Sequence, residues 1–426
     1  VTDLVVGIDI GTSGARAVAM AADTTVVAEH AARMADHGAD HRDPAVWTAA
    51  VEAALAGVLA AIDRRRVRAI SVDGTSGTVL AVDADGRPAG TPMMYNDPVD
   101  DRGLVGRIAA LAPPSSAAHG PTSGLAKAIV LARGAGAAVR VLHQADWIAG
   151  RYSGRFDVSD DNNALKTGWD PVARTWPAWM AEAGLDRRLL PDVVEPGTVV
   201  GPLSTAAAGA LGLDPATLVV AGTTDGCASF LATGADEPGA GVTALGTTMT
   251  IKLLSDVPIF APEYGIYSHR IAGAWLAGGA SNAGGKALLA HFEPDRLAAL
   301  SARIDPETDS GLDYYPLPGP GERFPIADPD LQPRVTPRPA DDAGFLKGLL
   351  EGIAAIEALA YRRLADLGGP ALASVRTVGG GAANPAWTRI RERRLGVPMR
   401  PVASSEAAAG AARLALAGAR GAGAIR

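Results

Sequence analysis

The chain has 426 residues, is 48% hydrophobic and 20% charged, and carries a formal net charge of −7. Its apolar content excludes disorder, and its length favours two or three compact domains over one. Its longest basic run is "DRRRVR", so nothing marks it for nucleic acid or an anionic membrane, and a small-molecule partner is expected. The single cysteine, Cys227, excludes an internal disulfide and a Cys-based metal site and fits a reducing compartment. No apolar run reaches about 18 residues and no basic region precedes the first strand pattern, so the expectation is a cytoplasmic protein that is not exported.

In chain order, "LVVGIDI" predicts a buried strand, and a tight Gly-Thr-Ser-Gly turn follows. "ARAVAM" and "TTVVAEH" predict the next two strands of an antiparallel meander. Asp43 and Pro44 then offer a helix cap and first turn, with Val46, Trp47, Val51, Leu55, Val58, Leu59 and Ile62 at helical spacing. "VRAISVDG" predicts a fourth strand, and "TVLAVDADGRPAG" a hairpin with a two-residue turn at Asp85 and Gly86. The second half opens similarly: "GVTALGTTMTIKLL" gives strand, turn, strand, "YSHRIAGAWLAGG" more strand and "GGKALLAHF" a helix, as in a diverged duplication. The Pro-rich stretch 313–339 predicts an ordered excursion without helix. Strand, triple-Gly turn and helix are expected in "VRTVGGGAANPAWTRIRERRLGVPM", with Asn384 and Pro385 at the helix start, and a last helix over about Glu406 to Leu416.

Gly-Thr-Ser or Gly-Thr-Thr ends an apolar run four times, at 11–13, 74–76, 222–224 and 246–248. Glycine lets backbone N–H groups approach an anion closely and the hydroxyls add donors, so a pair of such turns can grip one polyphosphate. Asp9, just ahead of the first turn, stands where a Mg²⁺ ion bridging those phosphates could be held through water. For a single copy, the alternative is an ordinary turn with Asp9 closing a strand. "ASNAGGKA" imitates a P-loop but lacks its first glycine and has Ala287 where Ser or Thr would meet Mg²⁺. "GAGVTA" precedes a strand, whereas a dinucleotide turn follows one. The seven histidines show no metal-ligand spacing, and no metal beyond Mg²⁺ is assigned.

"GIDIGTSGAR", "AGTTDG", "VTALGTT" and "VGGGAANPAW", in that order, resemble the FGGY carbohydrate kinases of the actin, hexokinase and Hsp70 superfamily. "LKGLLEGIAAIEAL" is similar to that family's helical signature at Glu351 and Gly352. The resemblance implies an α/β fold of two ribonuclease-H-like lobes around a central cleft. The expected boundaries are 1–233 for the sugar and phosphate side and 234–426 for the ATP-binding side, with the last helix able to pack back on the first lobe. "SVDGTSGTVLAVD", "TSGLAKAIVLA", "QADWIAGRYSG" and "DNNALKTGWDP" are similar to plant and cyanobacterial xylulokinase-like proteins, some of them D-ribulose kinases. Where xylulokinases carry Gln-Met-His-Gly, this chain has Gly74, Thr75, Ser76 and Gly77, and Val130 stands near the place of a family tryptophan.

Residue by residue, the resemblance implies that Asp225 is the general base, with a helix cap as its alternative role. Gly11, Thr12, Ser13, Arg16, Gly246, Thr247 and Thr248 would bind phosphates, and Gly380, Gly381, Ala382 and Asn384 the adenosine, with Gly379 opening that turn. Ser76, Thr75, Asp9 and Asp225 would line the sugar pocket, while Asp97 and Asp101 read chiefly as a solvated turn. The implied reaction is ATP- and Mg²⁺-dependent phosphorylation of a ketopentose, D-ribulose first, by a monomer or homodimer. D-xylulose, L-ribulose or a pentitol, or a non-catalytic sugar or ATP sensor, are the alternatives. Lobe closure on sugar is expected to exclude water, leaving some ATP hydrolysis without it.

Overall fold

A computed structural model describes residues 2–136 and 139–425. They form two compact units: 1–232, 269–273 and 404–426 make the first, and 233–268 with 274–403 the second.

In the first unit, β1 (Leu4–Ile10), β2 (Gly14–Ala21) and β3 (Val26–Arg33) form the antiparallel meander. Helix α1 (Pro44–Ala60) follows, its start fixed by Asp43, whose side chain accepts from the Ala45 N–H. Its apolar stripe buries Trp47 and Leu55 completely against the sheet, each such burial stabilising by about 1.5–3 kcal/mol. Strand β4 (Val67–Gly74) pairs parallel with β1, and strand Leu218–Thr224 pairs parallel with β4. The six-stranded sheet runs β3-β2-β1-β4, then Leu218–Thr224, then Val199–Pro202.

The other face of that sheet is covered by the last helix, Ala407–Gly421, which ends five residues beyond the expected Leu416. Its Ala and Gly residues allow contact at backbone distance. A Cβ on Gly7 would lie 1.9 Å from the Ala408 carbonyl oxygen, and one on Gly410 would lie 1.9 Å from that of Ala228. Gly7→Ala or Gly410→Ala thus cannot be accommodated without moving backbone.

The second unit repeats the meander. Met249–Ser255 pairs antiparallel with Ala240–Leu245 and Ala274–Ser281, and Ala240–Leu245 pairs parallel with Ser374–Val378. Helix Asp342–Asp366 packs against it through Phe345, Leu349 and Ile353. The Pro-rich stretch is ordered, with bridges Tyr315–Arg334 and Glu322–Asp328 and with Tyr314 and Phe324 buried.

The hairpin expected at Asp85 and Gly86 is corrected. The Asp83 N–H bonds the Arg87 carbonyl at 2.9 Å, enclosing three residues with Gly86 at φ 77°. Asp83 explains the extra residue, because its carboxylate accepts from the Asp85 and Arg87 N–H groups and favours the longer loop. The strand Val79–Val82 finds its main partner in Arg140–His143.

Candidate active site

Parallel strands end their chains on one edge, and ligands of open α/β sheets gather at that edge. In the first unit, β1, β4 and Leu218–Thr224 deliver three aspartates there. Asp9 stands opposite Asp73 in the β1–β4 register, Thr223 stands opposite Asp73 on the other side, and Asp225 follows directly. A cavity of about 640 Å³ opens at this edge, lined by Asp9, Gly11, Thr12, Ser13, Arg16, Thr75, Ser76 and Asp225. Tyr95, Ser229, Ser405, Glu406 and Ala407 complete the wall.

Within this cavity the first turn is closed by the Gly11 N–H on the Gly14 carbonyl at 3.0 Å, which leaves Thr12 and Ser13 exposed. Arg16 projects from β2 and reaches both Asp9 at 3.4 Å and Glu406 at 3.3 Å. The Thr75 hydroxyl leans on the Ile10 carbonyl at 3.4 Å, whereas the buried Ser76 Oγ has no hydrogen-bond partner among the described residues. Asp225 is the first residue of helix Asp225–Ala232, not the cap before it, and its Oδ1 accepts from the Gly226 N–H at 2.6 Å.

Asp73 is completely buried and neither of its oxygens meets a donor in good geometry. Burial, then the neighbouring Asp9 and the more distant Asp225, push its pKa well above the ordinary carboxylate range. Burial and Asp225 raise Asp9 as well, opposed by Asp73 and by the Arg16 guanidinium. Of the two, Asp73 is driven further toward the neutral form, because it is the more deeply buried and has no guanidinium opposing the shift. Sequence reasoning missed Asp73 although the signal was present: an aspartate precedes the Gly-Thr-Ser-Gly turn in both "DIGTSG" and "DGTSG".

Asp97 and Asp101 lie outside the cavity lining. Asp97 pairs with Arg42 at 2.6 Å, and Asp101 caps helix Arg102–Leu111. Among the described residues no group of three or more His, Cys, Asp or Glu is placed to hold a metal ion. Mg²⁺ needs no such cage, because one carboxylate with water and phosphate oxygens satisfies it. The hard carboxylate oxygens of Asp9, beside the orphaned oxygens of Asp73, fit that donor set.

The second unit has its own cavity of about 550 Å³, lined by Leu245, Gly246, Thr247, Gly285, Leu288, Gly380, Gly381, Asn384 and Trp387, among other residues. Thr248 and Ala382 are not part of its lining. The Thr248 carbonyl accepts from the Gly246 N–H, and Ala382 donates its N–H to the Gly379 carbonyl inside the turn. The Asn384 amide is already engaged, accepting from the Trp387 N–H and donating to Ser301 Oγ at 2.9 Å. It thereby caps the helix Pro385–Leu395.

The three glycines of this turn are required for different reasons. A Cβ on Gly379 would lie 2.7 Å from the Leu245 carbonyl, and one on Gly381 would lie 2.6 Å from the Leu245 side chain. Only at Gly380 is there open space where a ligand could approach. Lys286 belongs to a short helix, Gly285–Leu289, and its N–H bonds Thr247 O, as a turn entering a helix requires.

Residues 4–99 match the N-terminal domain, and residues 241–419 the C-terminal domain, of the FGGY family of carbohydrate kinases. A xylulose kinase of Streptomyces coelicolor is 28% identical, with the alignment spanning 96% of this chain and 86% of that protein. An autoinducer-2 kinase of Yersinia enterocolitica is 29% identical over 63% of this chain and 55% of its own length. Among solved structures, a xyloylose kinase from Brucella ovis is similar in fold, with a TM-score of 0.85 at 24% identity, covering 98% of this chain and 91% of that one. No helix among the described residues is long and apolar enough to cross a membrane.

Proposed function

This chain belongs to the FGGY family of carbohydrate kinases, ATP-dependent sugar phosphotransferases with a two-domain α/β fold of the actin and hexokinase type, and from that premise we propose that its acceptor is a ketopentose, D-ribulose before others. The observation that carries the reading is the gathering of Asp9, Thr75, Ser76 and Asp225 in one cavity at the carboxyl ends of three parallel strands.

Asp225 takes the proton of the attacking sugar hydroxyl, the new bond forms between that oxygen and the γ-phosphorus, and the bridging oxygen leaves with ADP. Ser76, whose hydroxyl lacks a partner among the described residues, holds the sugar with Thr75. Thr12, Ser13 and the Gly11 backbone receive phosphate oxygens on the first unit, and Arg16 adds positive charge. In the second unit, the apolar walls around Leu288 and Trp387 suit an adenine base, with Gly380 backbone against the ribose and Gly246 and Thr247 nearest the phosphates. Mg²⁺, held from Asp9 through water, would neutralise charge on the transferring group. Alignment and electrostatics carry most of such a reaction, and the base adds its share.

The choice of D-ribulose rests on "DGTSG" standing in place of the xylulokinase sugar loop. D-xylulose is the second reading, favoured by the Streptomyces relative whose alignment spans 96% of this chain. The two sugars differ at one carbon, so the pocket must distinguish a single inverted hydroxyl. A panel of ketoses and pentitols scored by ADP release tests the choice, with D-ribulose expected to give the highest kcat/KM. A preference for D-xylulose of about tenfold, or roughly 1.4 kcal/mol in the transition state, overturns it.

A further inference from the structure

Lys127 lies in helix Gly124–Gly134, is fully buried, and forms no ion pair with a carboxylate among the described residues. Its ammonium group donates to three backbone carbonyls: Gly77 at 2.9 Å, Met94 at 2.6 Å and Tyr95 at 2.9 Å. An ammonium has three N–H donors and no acceptor, so these three oxygens satisfy it only while it is charged. The carbonyls belong to two separate loops. One is the turn closed by the Thr78 N–H on the Thr75 carbonyl, and the other closes through the Asp97 N–H on the Met94 carbonyl. A further bond, from the Tyr95 N–H to the Thr78 hydroxyl at 3.1 Å, joins the loops directly.

These same loops place Thr75, Ser76 and Tyr95 on the wall of the first-unit cavity. We propose that Lys127 is a positioning residue for the acceptor: its charged amine clips the two loops together and thereby sets the distance between Ser76 and Tyr95 across the sugar pocket. The inference rests on the ketopentose reading for its substrate, but the clip itself does not depend on which sugar binds.

The charge that does this is held under strain. Burial pushes the Lys127 pKa down to about 8, with Asp97 opposing and Lys166 reinforcing the shift. His143 also faces it, but burial keeps that imidazole neutral, its pKa pushed down to about 3. As pH rises past about 8 the amine loses a donor, and one of the three carbonyls is left without its hydrogen bond. The stability consequence has the opposite sign. The folded pKa lies below that of the unfolded chain, so between them the unfolded chain binds more protons and fold stability rises with pH. Looser sugar binding at alkaline pH is therefore separable from unfolding.

The test is steady-state kinetics on the wild type across pH and on Lys127→Met, with acceptor and ATP varied separately. In Lys127→Met the acceptor KM is expected to rise at least about tenfold while the ATP KM stays close to the wild-type value. In the wild type, acceptor KM should climb above pH 8 without a fall in melting temperature. An acceptor KM unchanged by the substitution, or flat across that pH range, overturns the proposal, and the wild-type profile decides if the variant does not fold. Amide hydrogen exchange of residues 75–78 and 94–97, which needs no substrate, should be faster in the variant. Unchanged exchange there refutes the clip, whereas a wild type inactive on every ketopentose refutes only the substrate assignment.

Discussion

Asp225→Asn lowers kcat by about 10²-fold to 10⁴-fold, the range for loss of a placed general base, and leaves ATP affinity near that of the wild type. Asparagine keeps an oxygen where Oδ1 accepts from the Gly226 N–H, so the first turn of helix Asp225–Ala232 survives and the loss reports on proton transfer. The environment suits the task. Asp225 is only partly buried at the cavity wall, and of its acidic neighbours Asp73 is pushed further toward the neutral form than Asp9, which the Arg16 guanidinium helps to keep charged. Burial shifts Asp73 toward its neutral form, which lowers the negative charge that an incoming triphosphate meets. Single-turnover phosphorylation with titrated ATP binding checks the prediction. An asparagine variant that phosphorylates at the wild-type rate would remove Asp225 from the chemistry.

The second large effect concerns stability. Arg391 and Glu357 form a completely buried pair, bonded at 2.6 and 2.7 Å through two nitrogens and two oxygens. Glu357 also accepts from Thr243 at 2.6 Å, and Arg391 donates to Thr377 at 2.7 Å. One cluster thus joins helix Asp342–Asp366, helix Pro385–Leu395 and the two parallel strands Ala240–Leu245 and Ser374–Val378. Those strands end at the Gly246 and Gly379 turns, so the pair fixes the frame of the second-unit cavity. Arg391→Leu leaves a buried carboxylate without its partner and should cost about 3–5 kcal/mol. Replacing both residues by apolar ones of similar volume should recover much of the loss. Urea unfolding, followed through amides of helix Asp342–Asp366, measures both. A single variant that costs less than about 1 kcal/mol would show that the pair behaves as though solvated.

How far these features were readable from the chain depended on how local their causes are. The strands around each Gly-Thr turn were legible because short apolar runs bounded by glycine leave few alternatives, and Asp43–Pro44 and Asn384–Pro385 mark helix starts within two residues. The opposition of Asp9 and Asp73 was not legible, since it follows from strand pairing between residues 64 positions apart in sequence. Arg391 sits in "RIRERRLG", where nothing separates it from the neighbouring arginines, yet it alone of that run is fully buried. The last helix was expected, but its contact with β1 was not legible, because it is made by backbone atoms where Gly7 and Gly410 let the chains approach. Lys127 was visible in "LAKAIV" only as a lysine on an apolar helix, and its three carbonyl partners lie 32 to 50 residues away.

The most direct measurement is ³¹P NMR of the purified chain with ATP, Mg²⁺ and D-ribulose, followed through complete consumption of one reagent. One sugar phosphomonoester, on the terminal hydroxyl, is expected for each ADP formed. Inorganic phosphate in place of that ester, or no turnover with any ketose supplied, would contradict it.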